Sequence, residues 1–333
     1  MIAVIILNWN GSEMLRRFLP SVVSYSEVDG AVVYVADNGS TDDSVEMVCR
    51  EFPTVHLILL EENYGFAEGY NRAIKQVHEE YVVMLNSDVE VTPHWLIPLR
   101  NYLDCHPEVA ACQPKLLSYA QRNYFEYAGA AGGYIDRYGY PFCRGRLMQC
   151  IEEDHGQYDT IAPVFWASGA ALFIRRADYE AAGGLDARFF AHMEEIDLCW
   201  RLRARGRGIA CVPQSVVYHV GGATLQRENP NKTYLNFRNN LLLLHKNLPA
   251  NDAKKTLFIR RLYDTLAFFQ SLASLHFGDA KAIIRAHNHF RTMRKQYAQP
   301  ATRNLLKAYP EGRRNIILEY YLHGHKTYPT LTT

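Results

Sequence analysis

The sequence lacks any long uninterrupted apolar run, although 48% of its 333 residues are hydrophobic. No run reaches 18 apolar residues, and the opening residues lack the basic segment of a signal peptide, so we expect neither a membrane span nor a leader. The seven cysteines form no CxxC pair, which argues against structural zinc and a disulfide framework and favours a reducing compartment. No GxGxxG follows the first apolar run, which excludes a nicotinamide-dependent oxidoreductase. These absences predict a soluble, cytoplasmic, globular protein.

The near-zero net charge of +1 hides a strong asymmetry along the chain. Residues 1–231 carry 19 lysines and arginines against 30 acids, a net charge of −11. Residues 232–333 carry 17 against 5, a net charge of +12. No nucleic-acid-binding motif accompanies the basic charge, so we expect no nucleic-acid partner. The asymmetry predicts an acidic domain over 1–231 and a basic region over 232–333.

Short apolar runs alternate with amphipathic segments through the first half of the chain. This pattern is typical of βαβ units around a mostly parallel sheet that is buried on both faces. The predicted strands lie at residues 3–7, 31–36, 55–60 and 81–85, with helices at 11–24, 41–52 and 70–78. Residues 118–162 are rich in Tyr and Gly and read as a long insertion. A helix at 193–205, strands at 209–212 and 216–219, and helices beyond 233 complete the prediction.

Three of the four predicted strands end in polar loops, at residues 8–10, 37–40 and 86–88. A single loop of this kind needs Asn, Asp and Gly only for its turn geometry. Three at the same edge favour a ligand site, because ligands of such sheets bind outside the carboxyl ends of the strands.

The loop Asn86-Ser87-Asp88 is the first candidate for chemistry. A carboxylate at a strand end, flanked by oxygen-bearing side chains, suits a hard divalent cation that bridges to phosphates. The alternative is a strand-ending turn in which Asp88 caps the next segment.

A second candidate is the acidic segment that follows the apolar residues 189–191. On a helix, Glu194, Asp197 and Arg201 share one face, and a simple ion pair is the expected role of the last two. Glu195 points about 100° away, beside Cys199. Apolar surroundings raise the pKa of a carboxyl group towards the range of a general base.

A third candidate is His219, which ends an apolar strand and enters the glycine loop Gly221-Gly222. A lone histidine in this position is more often a core residue than a ligand. Both roles stay open on local grounds.

Seven motifs occur in one order between residues 4 and 222, and together they resemble family 2 of the inverting, nucleotide-sugar-dependent glycosyltransferases, which have the GT-A fold. Within this family the sequence most resembles the bacterial rhamnosyltransferase-like branch. The motifs are Ile5-Ile6-Leu7-Asn8-Trp9-Asn10-Gly11, Asp37-Asn38-Gly39-Ser40-Thr41-Asp42, Asn63-Tyr64-Gly65-Phe66-Ala67 with Asn71, Asn86-Ser87-Asp88, Ser168-Gly169-Ala170, Glu194-Glu195-Ile196-Asp197-Leu198 and His219.

The resemblance implies a role for each matching residue. Asp88, with His219, would hold Mg²⁺ or Mn²⁺ on the diphosphate of the donor, and Glu195 would deprotonate the acceptor hydroxyl. The nucleotide sugar would be bound by Asn8, Asn10, Asp37, Asn38, Asn63, Gly65, Asn71 and Asn86. The donor-sugar and acceptor pocket would be shaped by Trp166, Ser168, Gly169 and Asp197.

Two positions depart from the family pattern. The usual Glu-Asp pair at the base is Glu194-Glu195 here, so Glu194 stays open as the base. The first acid of the metal motif is Asn86, an exchange that is common in the rhamnosyltransferase-like branch.

The resemblance implies a GT-A catalytic domain at 1–231, with a nucleotide-sugar half at about 1–117 and an acceptor half at about 118–231. It further implies sugar transfer from a UDP- or dTDP-linked donor, such as dTDP-rhamnose, to a glycan or lipid-linked acceptor in cell-surface polysaccharide synthesis. The alternatives are a non-catalytic glycan- or nucleotide-binding protein on the same fold and a sugar-1-phosphate nucleotidyltransferase. The latter would need a glycine-rich phosphate loop where Asn8-Trp9-Asn10-Gly11 stands.

The basic region 232–333 allows two interpretations. Residues 265–278 are uncharged and too few to span a bilayer, so an interfacial helix on the anionic inner face of the cell membrane is one. The other is an ordinary helical subdomain that packs on the catalytic domain or on a second copy in a homodimer.

Overall fold

The computed structural model of the protein describes residues 1–221, 229–298 and 301–332. Its strands are β1 (Ile2–Asn8), β2 (Ala31–Asn38), β3 (His56–Leu60), β4 (Tyr81–Leu85), β5 (Val89–Val91), β6 (Val109–Ser118), β7 (Gly133–Ile135), β8 (Pro141–Cys143), β9 (Arg146–Leu147), β10 (Cys150–Ile151), β11 (Ala162–Pro163), β12 (Ala171–Arg175) and β13 (Gly208–His219). Its α-helices are α1 (Ser12–Val28), α2 (Ser44–Glu51), α3 (Gly65–Ile74), α4 (Leu96–Cys105), α5 (Arg176–Ala181), α6 (Glu194–Ala204), α7 (Pro230–Asn247), α8 (Ala250–Ala273), α9 (Phe277–Met293), α10 (Ile316–Tyr321) and α11 (Pro329–Thr332).

The first four strands form the parallel part of the main sheet, in the order β4-β1-β2-β3. β1 and β4 consist of apolar residues that are buried on both faces, as a parallel strand covered by helices on each side requires. The βαβ prediction for this half is therefore confirmed. The third helix begins at Gly65, earlier than the predicted residue 70.

The sheet becomes mixed beyond β4. β12 runs antiparallel between β4 and β6, and β13 runs parallel to β6 and antiparallel to β5 and β11. The two strands predicted at 209–212 and 216–219 are one long strand with a register shift between Val212 and Val216. Because Ala171 pairs with Leu85, the loop before β12 lies beside the carboxyl end of β4.

Residues 118–162, which the sequence predicts to be a long insertion, include several short strands. They contain the small antiparallel sheet β10-β9-β8-β7, which is largely buried. Gly133 is required in β7, because a β-carbon there would lie 2.0 Å from the Trp166 ring. The tight approach of backbone and indole ring explains why glycine and aromatic residues dominate this segment.

The C-terminal helices pack on the sheet domain and share its core. Leu241, Leu242, Leu243 and Leu244 of α7 are buried in one hydrophobic cluster with residues of α6 and of the small sheet. Polar contacts join the same parts: Arg260 of α8 donates to the carbonyl oxygen of Tyr138 at 3.2 Å. Residues 232–333 are helical and contain no strand among those described, as predicted.

Two predictions made from the sequence concern membrane-spanning helices and disulfide bonds. None of the described helices is both long and apolar enough to cross a bilayer. All seven cysteines are free thiols.

Candidate active site

The carboxyl ends of β1 and β2 bring the first two polar loops together. Asn8 and Asp37 are partners in the parallel register, and Asn8 Nδ2 donates to Asp37 Oδ2 at 3.2 Å. Ser40 Oγ accepts from Asn8 Nδ2 and from the backbone N–H of Asn10, and Asn10 Oδ1 accepts from the backbone N–H of Thr41 at 2.7 Å. The loops therefore hold each other in one fixed arrangement.

Asn8 leaves one polar atom available. Its Oδ1 is buried and receives no hydrogen bond from any described residue. Gly11 lies directly over it, since a β-carbon at that position would stand 2.6 Å from Oδ1. A buried carbonyl oxygen without a donor carries a free-energy cost that a ligand N–H removes. The site predicted at these strand ends thus contains a hydrogen-bond acceptor that has no donor among the described residues.

Asn38 and Asn63 connect the end of β2 to the start of α3. Asn38 is buried, and its side chain donates to Asn63 Oδ1 and to the Gly65 carbonyl oxygen while accepting from the N–H of Tyr64. Gly65 has φ +76°, and a β-carbon there would lie 2.5 Å from the Phe190 ring. Asn38, predicted to bind the donor, therefore uses its amide within the protein to shape this loop.

The third polar loop meets His219 at the end of β13. His219 Nε2 lies 3.1 Å from Asp88 Oδ1, and its Nδ1 lies 3.4 Å from Glu126 Oε1. All three side chains are buried, and Asn86 Nδ2 lies 3.3 Å from the same Nε2. The structure therefore brings together the two predicted metal ligands and adds a second carboxylate, Glu126.

The neighbouring charges determine the protonation states of His219 and Asp88. Burial acts to lower the pKa of His219, but Glu126 and Asp88 outweigh it and raise the pKa to about 10. Burial acts to raise the pKa of Asp88, but the hydrogen bond and charge of His219 hold it below its usual value. Without a cation, His219 is an imidazolium between two carboxylates.

Asp88 and His219 fit a divalent cation that is completed by other ligands. No three His, Cys, Asp or Glu side chains converge as a full cation site in the described residues. Mg²⁺-like ions are commonly held by one or two carboxylates together with water and substrate phosphates, so a sparse donor set suits them. Of the glycine loop Gly221-Gly222 that follows His219, Gly222 lies outside the described residues.

Ser168, Gly169 and Glu195 lie next to the third loop. The N–H of Asn86 donates to the Ala170 carbonyl oxygen, which fixes residues 168–170 beside the Asn86–Asp88 loop. A β-carbon at Gly169 would stand 3.6 Å from Cβ of Glu195 and 3.5 Å from the Phe66 ring. Three sequence-distant motifs thus converge at one edge of the sheet.

Both glutamates at the start of α6 have perturbed acidity. Burial raises the pKa of Glu195 to about 7, against the hydrogen bonds that its carboxylate accepts from backbone N–H groups at the start of the helix. Burial, and after it the charge of Glu195, raises the pKa of Glu194 well above its usual value. Glu195 is the partly exposed member of the pair and the one beside Gly169, so the geometry favours it over Glu194 as the base.

The segment before α6 is strained and is held from the C-terminal region. Phe190, His192 and Met193 have φ of 66°, 69° and 72°, a conformation that costs on the order of 1 kcal/mol or more for each non-glycine residue. Asn239 of α7 is fully buried and its Nδ2 donates to the carbonyl oxygens of Phe189, Ala191 and His192 at 3.0, 2.8 and 2.7 Å. α7 therefore fixes the segment that positions Glu195.

Two predicted site residues have other roles in the structure. Trp166 is buried in the core and its Nε1 donates to the Tyr134 carbonyl oxygen at 2.8 Å, so it does not line a pocket. Asp197 is fully buried and binds Arg201, Lys246 and Asn247, each at 2.8 Å, so it joins α6 to α7. The sequence alone could not exclude a pocket role for either, because burial is set by the chain that folds over them.

Asn71 has a similarly structural environment. Its Oδ1 accepts from the Tyr179 hydroxyl and from the N–H of Leu185, and its Nδ2 donates to the Leu185 carbonyl oxygen and to Glu68. The amide is committed to the turn before residue 186. Asn71 therefore holds this turn in place, and its amide is not free to bind a nucleotide sugar.

Glu126 and Asn239 were not predicted. Glu126 lies in the segment 118–162, which has no clear periodicity, and Asn239 lies in a helix outside the family resemblance. The sequence offers no signal for either, because Asn239 stands in the polar run Arg238-Asn239-Asn240 before Leu241–Leu244.

Comparison with known proteins agrees with this geometry. The mannosyltransferase PcManGT of Pyrobaculum calidifontis, solved with GDP-mannose and Mn²⁺, superposes with a TM-score of 0.54 at 14% identity and covers 87% of this chain and 86% of its own. GalNAc-T7, solved with UDP, GalNAc and Mn²⁺, gives a TM-score of 0.58 at 15% identity; the match covers 74% of this chain and about half (48%) of that one. The fold is thus that of the GT-A glycosyltransferases.

The sequence comparison shows which family the chain resembles. Residues 3–162 match the model of glycosyl transferase family 2. The N-acetylglucosaminyl-diphospho-decaprenol L-rhamnosyltransferase of Mycobacterium tuberculosis is 28% identical over 232 residues, which cover 65% of this chain and 75% of that one. Residues 3–162 are thus similar to glycosyltransferase family 2, and the chain is similar in sequence to a rhamnosyltransferase.

Proposed function

We propose that the protein transfers a sugar, with inversion, from a UDP- or dTDP-linked donor to a hydroxyl group of a lipid-linked glycan. The observation that carries the proposal is the position of Glu195, a carboxyl group with a pKa near 7, beside Gly169 and the Asn86–Asp88 loop. This is where a general base must lie if the donor diphosphate is held at Asp88.

The reaction is a single displacement. Glu195 takes the proton of the acceptor hydroxyl, the oxygen attacks the anomeric carbon, and the bond from that carbon to the diphosphate oxygen breaks. No enzyme nucleophile takes part, so the anomeric centre inverts. At the adjoining strand ends, Asn8 and Asp37 would lie against the nucleoside, and the buried Oδ1 of Asn8 is an acceptor without a donor among the described residues.

A divalent cation, Mg²⁺ or Mn²⁺, is part of the proposal. Asp88 and His219 would hold it, and Glu126 would keep the His219 ring in place through Nδ1. When bound, the cation neutralises charge on the departing nucleoside diphosphate. Two of the solved structures with this fold contain Mn²⁺, which supports this assignment.

The donor and acceptor classes follow from the relatives. The mycobacterial relative is an L-rhamnosyltransferase whose name gives N-acetylglucosaminyl-diphospho-decaprenol as its acceptor. By analogy we propose dTDP-rhamnose as the donor and a polyprenyl-diphosphate glycan as the acceptor, in cell-surface polysaccharide synthesis. With such an acceptor, the enzyme would act at the inner face of the cell membrane and would contact the membrane through the region 232–333.

Thermal unfolding with UDP, dTDP or GDP, each with and without Mn²⁺, tests the donor site. A ligand at 100 times its dissociation constant adds about 2.7 kcal/mol to the free energy of unfolding. We expect an Mn²⁺-dependent rise in melting temperature with one pyrimidine nucleotide, lost in Asp88→Ala and kept in Glu108→Ala, an exposed acid before β6. No rise with any nucleotide would contradict the proposal.

Turnover separates transfer from binding. With dTDP-rhamnose and a polyprenyl-diphosphate N-acetylglucosamine acceptor, we expect a product of inverted anomeric configuration. Glu195→Ala should abolish transfer while keeping the nucleotide-dependent rise in melting temperature. Binding without any transfer in the unmodified protein would instead favour a non-catalytic binding protein on the same fold.

A further inference from the structure

The outward face of α8 carries an unusual apolar stripe. Phe258, Leu262, Leu266 and Phe269 follow one another at spacings of three or four residues and are each 52–64% exposed. This spacing places them on one side of the helix. The helix is 24 residues long, and this stripe is the apolar part of its exposed side. Protein surfaces normally avoid a contiguous exposed apolar patch of this kind.

The stripe continues past the end of α8. Leu275 and Phe277 are 71% and 62% exposed and lie in the turn between α8 and α9. Leu275 has φ +60°, a left-handed conformation that ends the helix and turns the chain there. Six large apolar side chains therefore extend from the middle of α8 to the first residue of α9.

Basic residues border the stripe, and acids are kept away from it. Lys254, Lys255 and Arg261 are exposed on α8. Asp264, the acid in the middle of the helix, is buried against Arg260 and His287 at 2.8 and 2.9 Å. Within α8, all of which the structure describes, Asp252 near the start is the remaining acid and is only partly exposed. The exposed face is thus apolar and cationic.

We propose that this face docks on an anionic lipid bilayer, with the apolar side chains in the interface and the lysines and arginine on lipid phosphates. This surface rests on the proposed function, because a polyprenyl-linked acceptor presents its glycan at such a bilayer. Amphipathic helices with this distribution of charge lie in the plane of the membrane interface. Basic side chains near anionic lipid add an attraction that salt weakens.

Charge favours a bilayer over a second copy of the chain. In a two-fold dimer the face would meet itself. Neither copy would offer the other's Lys254, Lys255 and Arg261 an exposed acid on α8. Lipid phosphates supply the negative charge that a second copy lacks.

Co-sedimentation of the full chain with vesicles tests the proposal. We compare phosphatidylcholine vesicles with vesicles in which about a third of the lipid is anionic phosphatidylglycerol, without donor or acceptor. The unmodified protein should bind the anionic vesicles and lose binding in high salt. The double variant Leu262→Ser with Leu266→Ser should bind at least about tenfold more weakly.

A matched control carries the same chemical change elsewhere. Val28 and Leu59 are 71% and 63% exposed and lie on α1 and β3. The double variant Val28→Ser with Leu59→Ser should bind vesicles like the unmodified protein. Equal binding by both double variants, or no preference for anionic vesicles, would overturn the proposal.

If vesicle binding is not seen, two further measurements show whether the docking surface or the proposed transferase function is wrong. Sedimentation equilibrium without vesicles that shows a dimer, separated by the Leu262 and Leu266 substitutions, would overturn the bilayer assignment in favour of a second copy. The Mn²⁺-dependent rise in melting temperature with nucleotide needs no vesicles and should persist in both double variants. Its presence without vesicle binding would overturn the docking surface and leave the proposed transferase intact.

Discussion

At the scale of single residues, the site depends on Glu195 being a base at neutral pH. Its raised pKa of about 7 means that the carboxyl group is largely protonated, and unable to accept a proton, below that pH. The transfer rate should therefore rise about tenfold per pH unit up to about pH 7 and level off above it. Initial rates at donor and acceptor concentrations well below saturation, between pH 5 and 9, measure this dependence, because kcat/KM reports the pKa of the free enzyme.

The neighbouring Glu194 supplies the control for this prediction. Glu195→Gln should lower kcat by about 10²- to 10⁴-fold, the usual contribution of a general base. Glu194→Gln keeps the size of the side chain and removes a buried carboxyl group that has no hydrogen-bond donor at Oε2 among the described residues. Glu194→Gln should change kcat by no more than about threefold relative to the unmodified protein, which is far less than the effect of losing a general base. The reverse pattern would make Glu194 the base.

The residues whose position in the fold could be predicted from the sequence are those whose placement is local. Asn8 and Asp37 lie at the carboxyl ends of β1 and β2, and Asp88 lies in the loop after β4. Parallel strands bring these ends to one edge of the sheet. Glu126 could not be found in this way. Its contact with His219 exists because Glu126 follows β6, and β6 pairs with β13 across a long intervening segment.

At the scale of elements, α7 determines the shape of the segment before α6. Asn239 donates to three carbonyl oxygens of a segment in which three non-glycine residues have positive φ. Asn239→Ala leaves these carbonyls without their donor and should cost about 1–3 kcal/mol of folding free energy. Because the segment leads into Glu195, kcat should fall at least about tenfold, since small displacements of a catalytic group cost this much or more.

Asn240 is the matched control on the same helix. It is also buried, but it donates to Gly139 and accepts from Arg260, away from the segment before α6. Asn240→Ala should lower the melting temperature to a similar extent and leave kcat unchanged well below both melting temperatures. An equal loss of kcat in both variants would show that Asn239 acts through stability alone.

The elements themselves were predictable to different degrees. β1, β2 and β4 are continuous Val- and Ile-rich runs, and their position and parallel order followed from the pattern. The strands β7–β10 are two or three residues long, too short for any periodicity to show. The antiparallel β12 was unpredictable in direction, because its five residues read equally well either way.

At the scale of the whole molecule, the regions 1–231 and 232–333 share one core despite their opposite charges. Leu242 of α7 is fully buried in the cluster that contains Trp200 of α6 and Trp166. The backbone N–H of Ile316 donates to the buried carboxylate of Asp136 at 3.0 Å, and Lys246 bonds the buried Asp197. Two regions joined in this way cannot unfold separately without exposing the core of both.

The chain should therefore unfold in one cooperative transition. All four tryptophans lie within residues 1–231, whereas much of the helix lies beyond 232. Tryptophan fluorescence thus reports one region and circular dichroism at 222 nm reports both, and the two melting curves should coincide. Leu242→Ala should destabilise both curves together by about 2–5 kcal/mol, because it opens a cavity in the shared core. Leu266→Ala, on the exposed face of α8, should move neither. A separate early transition seen only by circular dichroism would mean that the basic region is an independent domain, and the charge asymmetry would then mark a true domain boundary.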